Sequence, residues 1–179
     1  VSDMDWGNLD YLIIDAPPGT GDEPLSVAQT IPHVKAIVVT TPQKVALADV
    51  RKSINFCKTV KVEISGIIEN MSGFVCPHCS QTVDIFSSGG GEALARELDL
   101  PFLGKIPMDP KVVMAGDEGA PYLTNNSASP ASQAFAKVVN AIEMRLPAGA
   151  VAAPITLKSA PSTGGGCACG GSCSSPSGK

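Results

Sequence analysis

Four short apolar runs, each broken off by a turn former or an acid, constrain what this chain can fold into. They are Tyr11 to Ile14, which runs into Asp15; Ala36 to Thr40, stopped by Thr41 and Pro42; Ile64 to Ile68, ended by Glu69 and Asn70; and Pro101 to Ile106, ended by Pro107. Tyr11 to Ile14 is an unbroken apolar run that reads as a buried strand, and the other three read as further strands. Helical patterns separate the runs. Pro24 to Ile31 reads as a short helix with Asp22 as N-cap, and Ala46 to Thr59 as a longer one with Val45, Ala48, Ile54 and Phe56 on its apolar surface. Glu92 to Leu98 follows the triple glycine, Lys111 to Ala115 forms a helical turn, and Ala131 to Leu146 is amphipathic, with Phe135, Val138, Val139 and Ile142 on one face. Strands alternating with helices give an α/β fold, a parallel sheet with helices on its faces.

In such sheets ligands gather at the carboxyl ends of the strands. Asp15, Thr40, Asn70 and Pro107 stand at those ends. An acid closing a buried strand needs a partner, because a lone buried carboxylate is costly. In nucleotide-binding α/β proteins that partner is commonly Mg²⁺ with its waters. The segment after Asp15 reads APPGTGD, and Gly19 and Gly21 let backbone N–H groups approach an anion. Gly89 to Gly91 could cradle a phosphate too, but at a helix start three glycines read first as punctuation.

Composition excludes some functions. The net charge of −4 comes without a basic cluster, which argues against nucleic acid as a partner. No apolar run reaches the roughly 18–20 residues of a membrane span. Hydrophobic residues make up 44% of the chain, enough for a core in residues 1–147. From Ala148 the texture turns to Ala, Pro, Gly and Ser, so residues 148–179 are expected to be a flexible tail.

Five of the six cysteines fall in two clusters: Cys76 and Cys79 in CPHC, and Cys167, Cys169 and Cys173 in the tail. Such clusters in a chain with no secretory signal favour metal ligation in a reducing, cytoplasmic compartment over a disulfide framework. A single CxxC supplies two of the four ligands that zinc or an iron–sulfur cluster usually takes. A redox pair would sit at a helix N-terminus, whereas this one lies in a loop, Met71 to Val83; a zinc knuckle fits the spacing but lacks a second CxxC. His78 reads as an exposed spacer and Cys57 as a small buried hydrophobe. The tail thiols are a second candidate set for a soft metal or cluster.

The stretches LDYLIIDAPPGTGD, ISGIIENMSGFVCPHC, LPFLGKIPMDPKV and AGDEGAPYL, in this order, resemble the Mrp/Nbp35 (ApbC-like) P-loop ATPases, iron–sulfur cluster carriers related to MinD and ParA. The resemblance runs from Trp6 to Leu146. It implies a P-loop NTPase fold, ATP and Mg²⁺ as ligands, and an ATP-dependent carrier that passes a [4Fe–4S] cluster to apo iron–sulfur proteins. Asp15 then matches the Walker B aspartate and Gly19 the glycine facing the γ-phosphate, with Thr20 and Asp22 in the same loop. Asn70 matches the reader of the adenine edge, and Pro107, Met108 and Asp109 pack on that base. Cys76 and Cys79 of two subunits bridge one cluster in a homodimer.

The Walker A loop, GxxxxGK(S/T), is absent from these residues, and the chain starts on Val1. The expectation is a C-terminal portion of the ATPase domain, inactive in hydrolysis alone, with an exposed strand edge and a tendency to aggregate. Two alternatives stay open: a MinD/ParA-like positioning ATPase with structural zinc, and a non-catalytic metal-binding fragment.

Overall fold

The computed structural model describes residues 6–148 apart from Pro18, Pro77 and Ser80. In chain order the elements are α1 (Asp22–Thr30), β1 (Lys35–Thr40), α2 (Lys44–Thr59), β2 (Glu63–Glu69), β3 (Phe74–Val75), β4 (Thr82–Val83), α3 (Gly90–Glu97), β5 (Phe102–Lys105), α4 (Pro110–Asp117), α5 (Tyr122–Asn125) and α6 (Pro130–Arg145). Strands β1, β2 and β5 form a parallel sheet in that spatial order. Strands β3 and β4 make a separate antiparallel hairpin.

Successive side chains of a strand point to opposite faces, and β2 uses both. Ile67 joins Val38, Ile54, Leu94 and Ala95 under α2 and α3. Its neighbour Ile68 joins Leu103, Ile106 and Val138 under α6. The result is three layers, helix–sheet–helix. Gly66 permits the strands to close up, since a Cβ there would lie 2.6 Å from Leu103 Cγ. Helices α4 and α6 start alike: Asp109 accepts the N–H of Lys111, Ser129 accepts that of Ser132, and a proline follows each cap.

Several expectations need correction. The run from Tyr11 to Asp15 is not a strand and is not buried: Ile13 is 90% exposed and Asp15 is exposed. An apolar run becomes a strand only where another backbone completes its hydrogen bonds, and among the described residues none pairs with this one. It is tethered instead by the Tyr11 hydroxyl, which donates to the Leu146 carbonyl at 2.6 Å. The sheet therefore has three strands rather than four. Asp22 is the first residue of α1, not its cap; Gly21 holds that position with no side-chain bond. On α2 the packing residues are Leu47, Val50 and Ile54, while Val45 and Ala48 face solvent. The Met71–Val83 loop contains the β3–β4 hairpin, and the turn at Lys111 is a full helix, α4. Cys167, Cys169 and Cys173 lie outside the described residues.

Candidate functional site

The carboxyl edge of the sheet brings three sequence segments together. Thr40 ends β1, Asn70 follows β2, and Pro107 to Asp109 follow β5. The backbone links them directly. Asn70 N–H donates to the Thr40 carbonyl at 2.7 Å, Ile106 N–H to Glu69 at 2.8 Å, Ser72 N–H to Ile106 at 3.0 Å and Met108 N–H to Gly73 at 2.8 Å. Segments 69–74 and 106–108 thus continue the parallel pairing of β2 and β5 beyond the strands, with a bridge between Phe74 and Met108.

Asn70 holds the turn that leaves β2. Its Oδ1 accepts the N–H of Met71 at 2.9 Å, and Met71 takes a φ of +54°. A base reader at this position has the amide NH₂ to offer. Asp109 is engaged on both oxygens, by the Lys111 N–H at 2.9 Å and by the Tyr122 hydroxyl at 2.6 Å. The same hydroxyl lies 2.9 Å from Ser129 Oγ, so one chain of bonds joins the caps of α4 and α6.

The Tyr122 phenol is raised above its ordinary value, first by burial and then by its bond to Asp109. A raised phenol stabilises the fold fully below the unfolded value of about 10, and that contribution is lost as the pH rises through the folded value. Tyr122→Phe is expected to cost about 1–2 kcal/mol at neutral pH and to flatten the decline of stability above about pH 10. Urea melts at pH 7 and at alkaline pH check both; an unchanged alkaline slope in the variant would show that another group controls it.

The residue that sequence reasoning missed is Glu69. It ends β2, its exposure is 0%, and its carboxylate accepts from Ser72 Oγ at 2.5 Å, Gly89 N–H at 2.8 Å and Gly91 N–H at 2.5 Å. The amides that open α3 are therefore taken by a side chain of the protein. The signal was present: an acid closing an apolar run demands a partner at Glu69 as much as at Asp15. Nearby, Lys105 Nζ pairs with Glu92 at 2.7 Å, which lifts the Lys105 ammonium and lowers the Glu92 carboxyl.

The cysteine pair sits on the hairpin, which Cys76 N–H closes by donating to the Gln81 carbonyl at 2.9 Å. Cys79 and His78 are exposed and Cys76 is half-buried. The Cys76 thiol is held below its ordinary value, chiefly by the backbone N–H of Cys79, then by that of His78 and by the Cys79 side chain. A lowered thiol is a readier metal ligand. Burial instead raises Cys57, in keeping with an inert thiol. Among the described residues no group of three or more His, Cys, Asp or Glu side chains could hold a metal. The pair supplies two thiols from one hairpin.

Asp15, Gly19, Thr20 and Asp22 stand outside the sheet. All four are exposed, on the segment that leads into α1. Gly19 has a φ of +105° with open space where a Cβ would be, so backbone conformation, not crowding, calls for glycine there. The Asp22 carbonyl accepts from Ser26 Oγ at 2.7 Å.

A parallel sheet flanked by helices, with its candidate ligand-binding residues at the carboxyl edge, places the chain among the α/β nucleotide-binding proteins. Solved structures share this arrangement. An Archaeoglobus fulgidus nucleotide-binding protein in complex with ADP is 37% identical with a TM-score of 0.58, covering 73% of this chain and 52% of that one. The MinD cell division protein of Aquifex aeolicus, 23% identical with a TM-score of 0.60 over 77% of this chain and 55% of its own, shares the fold. A family described as "ParA: NUBPL iron-transfer P-loop NTPase" matches residues 1–143, and the chain belongs to it.

Relatives include the cytosolic Fe-S cluster assembly factor NUBP2 homolog of Nematostella vectensis, 51% identical over 79% of this chain and 54% of that protein. The iron-sulfur cluster carrier protein of Methanocaldococcus jannaschii is 53% identical over 79% and 49%. The cytosolic Fe-S cluster assembly factor CFD1 of Saccharomyces cerevisiae is 60% identical over 63% and 40%. The chain spans about half the length of the curated relatives it matches. Among the described residues no helix is long and apolar enough to cross a membrane.

Proposed function

We propose that this chain is the cluster-holding part of an ATP-dependent iron–sulfur carrier. Its cargo is a [4Fe–4S] cluster bound for apo iron–sulfur proteins of the cytosol. The observation that carries the reading is the half-site on the hairpin: two thiols, one held low by local N–H groups, with no further ligand group beside them among the described residues. Two copies of the chain complete the site, each lending Cys76 and Cys79, so the cluster ties a homodimer together. The names of the relatives, assembly factors and carriers, agree with this reading.

The nucleotide end of the reading rests on the carboxyl edge. Asn70 would meet the adenine with Pro107, Met108 and Asp109 beside it, while Asp15, Gly19, Thr20 and Asp22, on the exposed segment outside the sheet, would serve Mg²⁺ and the terminal phosphate. ATP hydrolysis then follows the usual pattern of positioning and charge neutralisation, and serves as a switch on how firmly the cluster is held. The direct bonding of segment 106–108 to the root of the hairpin gives the switch a short route to the thiols.

Anaerobic reconstitution with iron and sulfide tests the proposal. About four irons and four sulfides per two chains are expected, with the mass of a dimer that falls to a monomer when the cluster is stripped by a chelator. Zinc that resists replacement by iron, or a cluster held by a monomer, would refute it.

A further inference from the structure

The loop that carries the cysteines leaves the body of the protein at Ser72 and returns at Ser88. Its hairpin is small, with two-residue strands that pair with each other and a single bridge from Phe74 to Met108. A few bonds root it: the Ser72 N–H to Ile106 and the Met108 N–H to Gly73 on the outgoing side, and the side-chain contacts of Glu69. Those contacts reach both feet at once. Glu69 Oε1 takes the hydroxyl of Ser72, before the hairpin, and the N–H of Gly89, just after it; Oε2 takes the N–H of Gly91. Ser72 Oγ and Ser88 Oγ lie 3.2 Å apart across the gap.

From this geometry we infer that Glu69 is a positioning residue for the cysteine pair. Its buried carboxylate clasps the two feet of loop 73–88 to the N-terminus of α3 and so sets where Cys76 and Cys79 stand. The inference rests on the reading that these two thiols hold metal. A carboxylate suits the place because the first amides of a helix are unsatisfied and carry partial positive charge. The glycines suit it because α3 must come close. A Cβ on Gly91 would lie 3.1 Å from Glu69 Oε2 and 2.9 Å from Thr40 Cγ2, and one on Gly90 would lie 2.6 Å from the Pro42 carbonyl oxygen. Pinning both ends of a loop removes conformations that would splay the thiols, an entropic gain for any ligand that needs them together. A plain helix cap would not need Ser72. The hydroxyl of Ser72, itself buried, ties the cap to the outgoing foot.

Cobalt(II) is the probe, in the full chain with Cys167, Cys169 and Cys173 changed to serine. Thiolate-to-cobalt charge-transfer absorbance, titrated against a competing chelator, reads the affinity of the remaining pair. Ser72→Ala is expected to weaken cobalt binding roughly tenfold while the helical circular dichroism stays as it was, and Glu69→Gln to weaken it at least as much. If Glu69→Gln does not fold, Ser72→Ala decides alone. Val138→Ala, on the opposite face of the sheet, should lower stability and leave cobalt affinity unchanged. Equal cobalt affinity in wild type and Ser72→Ala overturns the inference, and so does an equal loss in Val138→Ala, which would reduce the effect to stability. Cobalt absorbance that is the same with and without Cys76→Ala/Cys79→Ala would overturn the carrier reading itself, and this inference with it.

Discussion

Changing Cys76 and Cys79 together to alanine is expected to remove essentially all of the iron that the chain takes up on anaerobic reconstitution under the proposed function, from about four per two chains to near none. The reason is ligand number. An iron–sulfur cluster usually takes four protein thiolates, and the hairpin of one chain supplies two. Removing both from each copy leaves no half-site to pair. The single changes should act almost as strongly, because a cluster left with two of its four ligands is exposed to solvent and to chelators. The reciprocal variant, with Cys167, Cys169 and Cys173 changed to serine, should keep its iron and the visible absorbance of the cluster. Iron that persists in the Cys76/Cys79 variant and disappears in the tail variant would assign the metal to the tail and remove the basis of the proposed function.

The second large effect is on stability. Ile67→Ala should cost about 2–5 kcal/mol, the range for a large-to-small change at a fully buried site. Ile67 is 0% exposed in β2, packed with Val38, Ile54, Leu94 and Ala95 under α2 and α3. Against a total of about 5–15 kcal/mol for an ordinary domain, that loss is a large fraction. Val45→Ala, 78% exposed on α2, is the control and should stay within about 0.5 kcal/mol. Urea midpoints at constant slope measure both. A cost below about 1 kcal/mol at Ile67 would mean that the core on this face is loosely packed.

Reading a sequence works where the information is local. Ala36–Thr40, Ile64–Ile68 and Pro101–Ile106 announce strands by their length and by the turn formers after them, and they are β1, β2 and β5 to within a residue or two. The amphipathic pattern of α6 placed Phe135, Val138 and Ile142 on the packed face, although Val139 proved exposed. The hairpin β3–β4 escaped notice because two-residue strands are too short to show alternation. The Tyr11–Asp15 run shows the opposite failure. Its residues have strand character, yet a strand is a relation between two backbones, and one sequence segment cannot state whether a partner lies beside it.

The candidate site divides in the same way. CPHC and ENMSG named Cys76, Cys79 and Asn70 because each motif is contiguous, and the structure adds their local support: the Gln81 carbonyl behind Cys76 and the Met71 N–H on Asn70. The candidate phosphate-side residues were named from sequence too, but they stand on an exposed segment away from the sheet.

By itself the sequence determined the fold class and the order of α1, β1, α2, β2, α3, β5, α4 and α6, and it named Cys76 and Cys79 as candidates, since all of this is written in runs of neighbouring residues. Only the tertiary structure decided which face each strand residue takes, that Asp15 lies outside the sheet, and that Glu69 gathers Ser72, Gly89 and Gly91. The physical reason is the cost of a buried charge. A carboxylate inside a protein must find its donors wherever the fold brings them, and here two of the three come from the far side of the loop that carries the cysteines.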